Sequence, residues 1–172
     1  MDAVELVAYD HQWPAQFVAE AIRLRALVAS DGVIAIEHIG STAIPGLRAK
    51  PIIDILMIVP SLPQARLLLP DRLQALGYAF WADNPKTDRL FFVKGLPPAA
   101  TGRTHHVHVA EPGSEALLSL RFRDHLRSHP DDAQRSVLLK DELALRYHAD
   151  REAYTAAKTA FVQDILSRGA QP

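Results

Sequence analysis

Cysteine is absent from the 172-residue chain. Disulfides, thiolate zinc sites and a cysteine nucleophile are therefore excluded. An excess of charge is missing too: 19 Lys and Arg against 20 Asp and Glu leave a formal net charge of -1. That balance does not mark a general nucleic-acid binder, although it is compatible with a local basic patch. No long hydrophobic run is present. The most apolar stretch, 52–59, lies between Pro51 and Pro60, contains Asp54, and is too short to span a bilayer. The opening residues, Met1-Asp2-Ala3-Val4-Glu5, carry early acids where a leader would be basic and then apolar. The expectation is a cytoplasmic protein with no membrane or disulfide partner. Motifs are also missing. Gly46 is followed by Leu47, so there is no P-loop, and neither a dinucleotide fingerprint nor a His-Glu-x-x-His pair occurs.

What is present is ordinary for a globular chain: 48% hydrophobic residues. At this length a single domain over 1–172 is expected. Helical spacing of Phe17, Ile22, Leu24, Leu27 and Val28 predicts a helix over 13–30, started by Pro14 and stopped by Asp31-Gly32. Strands are expected at 33–39, 52–59, 78–81, 90–94 and 104–110, and a helix at 62–76 ending at Gly77. Residues 42–50 read as a connector and 95–102 as a loop. After Pro112-Gly113 the pattern changes to three helices, 114–129, 130–148 and 150–167. The fold class is α/β (α+β): a small mixed sheet with flanking helices over 1–112, then a C-terminal helical segment over 113–172.

Two features suggest a phosphate and metal site. Gly40-Ser41-Thr42 follows an apolar strand, where backbone N–H groups and the serine hydroxyl can meet an anion; an ordinary strand-end turn reads the same way. Asp54 is the only charge in its apolar strand, and on period-2 alternation it shares a face with Ile52, Leu56 and Ile58. A buried carboxylate is costly unless a cation offsets it. That cation is a divalent metal, or else Lys50 or Arg103 in a salt bridge. His106 and His108 share one face of their strand, with His105 on the other, so the pair is placed to join Asp54 at a metal or to touch phosphate; surface or satisfied core histidines are the bland alternative. His38 reads as a structural histidine, with Glu37 on the opposite face. Arg48, Lys50, Arg89 and Arg103, near strand ends, suit phosphate oxygens, although most such residues are solvated surface. Tyr154 and Lys158, four apart, share one face of the last helix and either close over a ligand or cover the sheet.

Several blocks together resemble the GrpB family, a group placed with the nucleotidyltransferase fold. They are Tyr9-Asp10-His11-Gln12-Trp13-Pro14 with Phe17, the run from Glu37 to Leu47, Ala49 to Ile55, His106-Val107-His108-Val109, Phe122 to Arg127, and Tyr154 with Lys158. The resemblance covers nearly the whole chain. It implies a nucleoside triphosphate or other phosphorylated small molecule as ligand, Mg²⁺ or Mn²⁺ as cofactor, and nucleic acid as an unexpected partner. It implies catalytic roles for Ser41, Lys50 and Asp54, phosphate contacts from Gly40, Ser41, Thr42, Lys50, Arg89, Arg103, Tyr154 and Lys158, and a metal on Asp54, His106 and His108. Nucleotidyltransferases carry a second acid two residues after the first; here that position is Leu56. Three functions stay open: nucleotidyl transfer, phosphate-ligand binding without turnover, and metal-dependent phosphate hydrolysis.

Overall fold

The computed structural model describes residues 5–28, 32–97 and 102–168. Helix α1, Trp13–Leu27, has Pro14 in its first turn, where a missing N–H leaves no bond unmade. Its expected stop at Asp31 and loop residues 98–101 lie outside the described residues. Strands follow at β1 Ala35–Ile39 and β2 Ile53–Ile58. Helix α2, Leu62–Gln74, is capped by Ser61, whose hydroxyl accepts from Gln64 N–H at 3.3 Å. Then come β3 Tyr78–Phe80, β4 Arg89–Lys94 and β5 His105–Ala110.

These strands form one five-stranded mixed sheet in the order β1-β2-β5-β4-β3. Only β2 and β5 run parallel; the other pairs are antiparallel. The parallel pair needs a crossover, supplied by α2 and the β3-β4 hairpin. Alternation gives the sheet two unlike faces. Ile55, Met57, Phe92, Val107 and Val109 point toward α1 and α2, where Leu24, Leu69 and Leu73 complete the main core. Each such side chain, fully buried, contributes about 1.5–3 kcal/mol relative to exposure. The opposite face carries Asp54, His106, His108 and Phe91 and opens onto a cleft.

The C-terminal segment comprises α3 Leu118–Ser128, α4 Pro130–Arg146, α5 Arg151–Ala157 and α6 Thr159–Arg168. It differs from expectation in two places. A 3₁₀ turn, Glu115–Leu117, precedes α3. The expected helix over 150–167 is two helices that meet at Lys158; neither Gly nor Pro marks that break. Leu126 and Ile165 bury themselves against Ile44 and Leu47, so these helices pack on the connector that follows β1. Arg127 fixes the same connector, donating to Ala43 O at 2.9 and 2.7 Å from two nitrogens. Among the described residues no helix is long and apolar enough to cross a membrane.

Candidate functional site

The site is built where β1 ends. Gly40 turns the chain with φ 70° and ψ −171°, a combination only glycine adopts without strain. The reason for glycine is visible above its Cα: a Cβ there would collide with the Asp54 carboxylate. The close approach is thus made by the protein's own acid. The following turn, Ser41–Ala43, is a short 3₁₀ helix.

Asp54 lies beside Ile39 of β1 and His106 of β5 in register. Its Oδ1 is 2.9 Å from His106 Nδ1, and the two side chains are 29% and 12% exposed. Burial pushes the carboxyl pKa up, but the hydrogen bond from His106 and the charge of His106, His108 and Lys158 outweigh it, leaving the pKa below the usual range. An ionised carboxylate only accepts, so Nδ1–H donates to Asp54. His106 Nε2 is then buried with no hydrogen-bond partner among the described residues, as is His108 Nδ1. Burial holds His108 down to about 4, so its ring is neutral at pH 7. Asp54 thus has an imidazole as a hydrogen-bond partner, where sequence reasoning offered a divalent metal, or else Lys50 or Arg103 in a salt bridge.

Thr42 is buried and its hydroxyl is committed. It donates to Ile52 O at 3.2 Å and accepts from His38 Nε2 at 3.0 Å. His38 stacks on Phe17 at 4.8 Å, and burial lowers its pKa to about 4, as expected of a structural histidine. Ser41 is engaged from a distance. The Lys140 ammonium, 6% exposed, donates to Ser41 Oγ at 2.8 Å and approaches Arg48 O at 3.4 Å. Burial, then the charge of Lys158, lowers its pKa to about 7. Tyr154, 1% exposed, lies between two ammonium groups: Lys50 Nζ is 4.3 Å from its ring centre and Lys158 Nζ 4.6 Å. Burial pushes the Tyr154 phenol up to about 12.

A cleft of about 1170 Å³ gathers these groups. Ser41, Thr42, Lys50, Asp54, Arg89, Arg103, His106, His108, Tyr154 and Lys158 all line it. Gly40 is not a lining residue; it contacts Asp54 from behind. Two expected phosphate contacts are already occupied in part. Arg89 donates from Nε and Nη2 to Asp88 at 2.9 and 3.0 Å, and Arg48 pairs with Asp141 at 2.9 Å. The residue that sequence reasoning missed is Lys140. Its signal was the buried stripe of α4, Asp132, Ser136, Lys140 and Leu143, which repeats at helical spacing and places a lysine where leucine is usual.

The metal expectation can be tested on donors. Leu56, at the second-acid position, is fully buried in an apolar cluster with Ile39, Ile58 and Ala110. Among the described residues no group of three or more His, Asp or Glu side chains is placed to hold a metal ion. The chain's own donors therefore do not fit the pair of ions that a nucleotidyltransferase holds with several carboxylates.

The architecture defines a nucleotidyltransferase-like fold. Over 88% of the chain it superposes with a TM-score of 0.55 on half, 50%, of a Cid1 poly(U) polymerase crystal structure bound to MgATP; at 15% identity the likeness is one of fold alone. Within that class the chain belongs to the GrpB family, whose model, described as GrpB protein, matches residues 3–168. A crystal structure of GrpB from Enterococcus faecalis aligns with a TM-score of 0.85 and 34% identity, covering 96% of both chains. The UPF0157 protein PA4798 of Pseudomonas aeruginosa is 53% identical over 169 residues, 97% of this chain and 68% of that protein. UPF0157 protein YqkA of Bacillus subtilis is 38% identical, and the chain spans 45% of its length.

Proposed function

We propose that the cleft binds a small molecule carrying a polyphosphate, such as a nucleoside triphosphate, at the end formed by Ser41, Lys50, Lys140 and Lys158. One observation carries this reading. Lys140 is buried, and its hydrogen bonds go to two uncharged oxygens, Ser41 Oγ and Arg48 O. A buried ammonium that hydrogen-bonds to no carboxylate is costly, and the nearby Asp141 charge, itself paired with Arg48, offsets that cost only in part. Lys158 adds to that cost, since its charge helps lower the Lys140 pKa. A ligand bearing several negative charges would offset the cost at Lys140, and the Ser41 turn supplies further donors.

The reading favours binding over nucleotidyl transfer, because the second acid is replaced by Leu56 in the core. Asp54 holds His106 in one orientation, and Mg²⁺ or Mn²⁺ would enter with the ligand's phosphates. Thermal and urea denaturation with tripolyphosphate or nucleoside triphosphates, with and without Mg²⁺ or Mn²⁺, tests the proposal. Saturation at about a hundredfold over the dissociation constant should add about 2.7 kcal/mol of stability. Lys140→Met should abolish the increment. Absence of a shift with every triphosphate would end this reading. Labelled nucleotide appearing on an acceptor would show transfer, and free phosphate released without one would favour the phosphohydrolase.

A further inference from the structure

The cleft has a second, aromatic end. Trp81 lies just past β3, tied to the sheet by its N–H to Phe91 O at 2.9 Å. The residue is 43% exposed, whereas the chain's other tryptophan, Trp13, is 2% exposed in the core. Trp81 rests on Phe91, ring centres 5.7 Å apart, and Phe91 in turn lies 4.7 Å from His108 and 5.1 Å from His106. These rings form a row on the cleft face of the sheet, running from its exposed edge to the Asp54–His106 pair. A turn follows, closed by the Asn84 backbone N–H donating to the Trp81 carbonyl at 3.4 Å. The Asn84 side-chain oxygen accepts from Lys86 N–H at 3.1 Å. That contact fixes the amide so that its NH₂ group, two donors, is left for a ligand acceptor. Trp81, Phe91 and Asn84 line the same cleft as Ser41 and Lys140.

We propose that Trp81 is the stacking platform for a nucleobase, with the Asn84 NH₂ group donating to a ring nitrogen or carbonyl of that base. The ligand is then a nucleotide, phosphates at the lysine end and base at the aromatic end. This rests on the polyphosphate reading above. A supported, half-exposed indole gives a flat apolar face at little conformational cost. Stacking on such a ring is tolerant of base identity, whereas one amide discriminates by its acceptor. A sugar phosphate or inorganic polyphosphate would leave the aromatic end unused.

The test compares tripolyphosphate with ATP, GTP, CTP and UTP on the full chain, by calorimetry and by tryptophan fluorescence. The nucleotides should bind at least about tenfold more tightly than tripolyphosphate, and they should quench emission, since stacking typically changes affinity by that order. In Trp81→Ala the quench should vanish, nucleotide affinity should fall to the tripolyphosphate level, and tripolyphosphate affinity should stay unchanged. Trp81→Phe should restore most of the difference. Unchanged urea midpoints would confirm that both variants fold. Equal affinity for nucleotides and tripolyphosphate, or an equal loss of both in Trp81→Ala, overturns the base subsite and leaves the polyphosphate reading standing. No binding by any of the five compounds overturns both.

Discussion

Glu20 and Lys140 are both buried charges on helices, α1 packed on the sheet and α4 beside the cleft, and they are treated in opposite ways. Glu20, 2% exposed on α1, accepts from Tyr78 Oη at 3.0 Å, Lys94 Nζ at 2.7 Å and Arg23 Nη1 at 3.1 Å. Burial pushes its pKa up, the Lys94 contact pulls it back, and the net position is below the usual range. Lys140, on α4 and lining the cleft, hydrogen-bonds to two uncharged oxygens, and burial and the charge of Lys158 outweigh the charge of Asp141 and push it down to about 7. The first charge is closed within the fold. On the proposed reading, the second is completed by a bound anion. The comparison teaches that burial alone does not mark a binding residue; the partner does.

The largest expected effect breaks the comparison through pH. Lys140 in the folded chain releases its proton near pH 7, while in the unfolded chain it keeps it until about 10.5. Between those values the unfolded state binds more protons, so stability should rise with pH, by up to about 5 kcal/mol. Urea denaturation from pH 6.5 to 10 should show that rise, and Lys140→Met should flatten it. Lys140→Met should also be neutral or stabilising at pH 6.5, because a buried unpaired charge has been removed. A wild-type profile that falls over this range would show that the ammonium is well solvated.

Glu20→Gln sharpens the contrast with a smaller effect of opposite sign. Removing one member of a buried, hydrogen-bonded pair costs about 3–5 kcal/mol when the other charge stays buried. Lys94 is 22% exposed at the side chain and so recovers some hydration, which puts the expected loss near the lower figure. Chemical denaturation at pH 7 measures it. Stability within about 0.5 kcal/mol of the wild type, the range of ordinary surface substitutions, would mean that Glu20 is no more closed than Lys140.

How far the sequence revealed this arrangement follows from sequence distance. The strands were legible because β2 is a nearly continuous apolar run and β5 interleaves histidine with valine, and the period-2 geometry of a strand put Asp54 and the two histidines on predictable faces. The fold class and the family likewise followed from long blocks of sequence. What alternation could not show is which strands are neighbours. The Asp54–His106 bond exists because β2 and β5 pair in parallel, and the Trp81–Phe91–His108 row exists because β3, β4 and β5 lie side by side. Lys140 was harder still: it meets Ser41 across 99 positions, from a helix that no local pattern docks against the turn. The role of Thr42 was hidden for a related reason. A hydroxyl beside a Gly-Ser turn looks available until the Ile52 carbonyl and the His38 ring are placed around it.

Asp54 stands between the two cases, a partly buried acid hydrogen-bonded to His106, and Gly40 tests how tightly it is enclosed. Gly40→Ala should destabilise for two separable reasons. The backbone at φ 70° and ψ −171° is strained for any residue with a Cβ, by about 1–3 kcal/mol. The new methyl also meets the Asp54 carboxylate, and overpacking of this kind adds about 1–3 kcal/mol. In an Asp54→Ala background the collision with the carboxylate is gone, and the backbone cost remains with one tight contact to the residue 54 Cβ at 3.0 Å. The two substitutions should therefore couple by at least about 1 kcal/mol in a double-mutant cycle read from urea midpoints at constant slope. Additive costs would mean that the carboxylate swings away freely, so that Asp54 is held less firmly than its bond to His106 implies. A strong coupling would mean that the turn and the acid form one rigid unit, with His106 fixed by it, against which a ligand must fit.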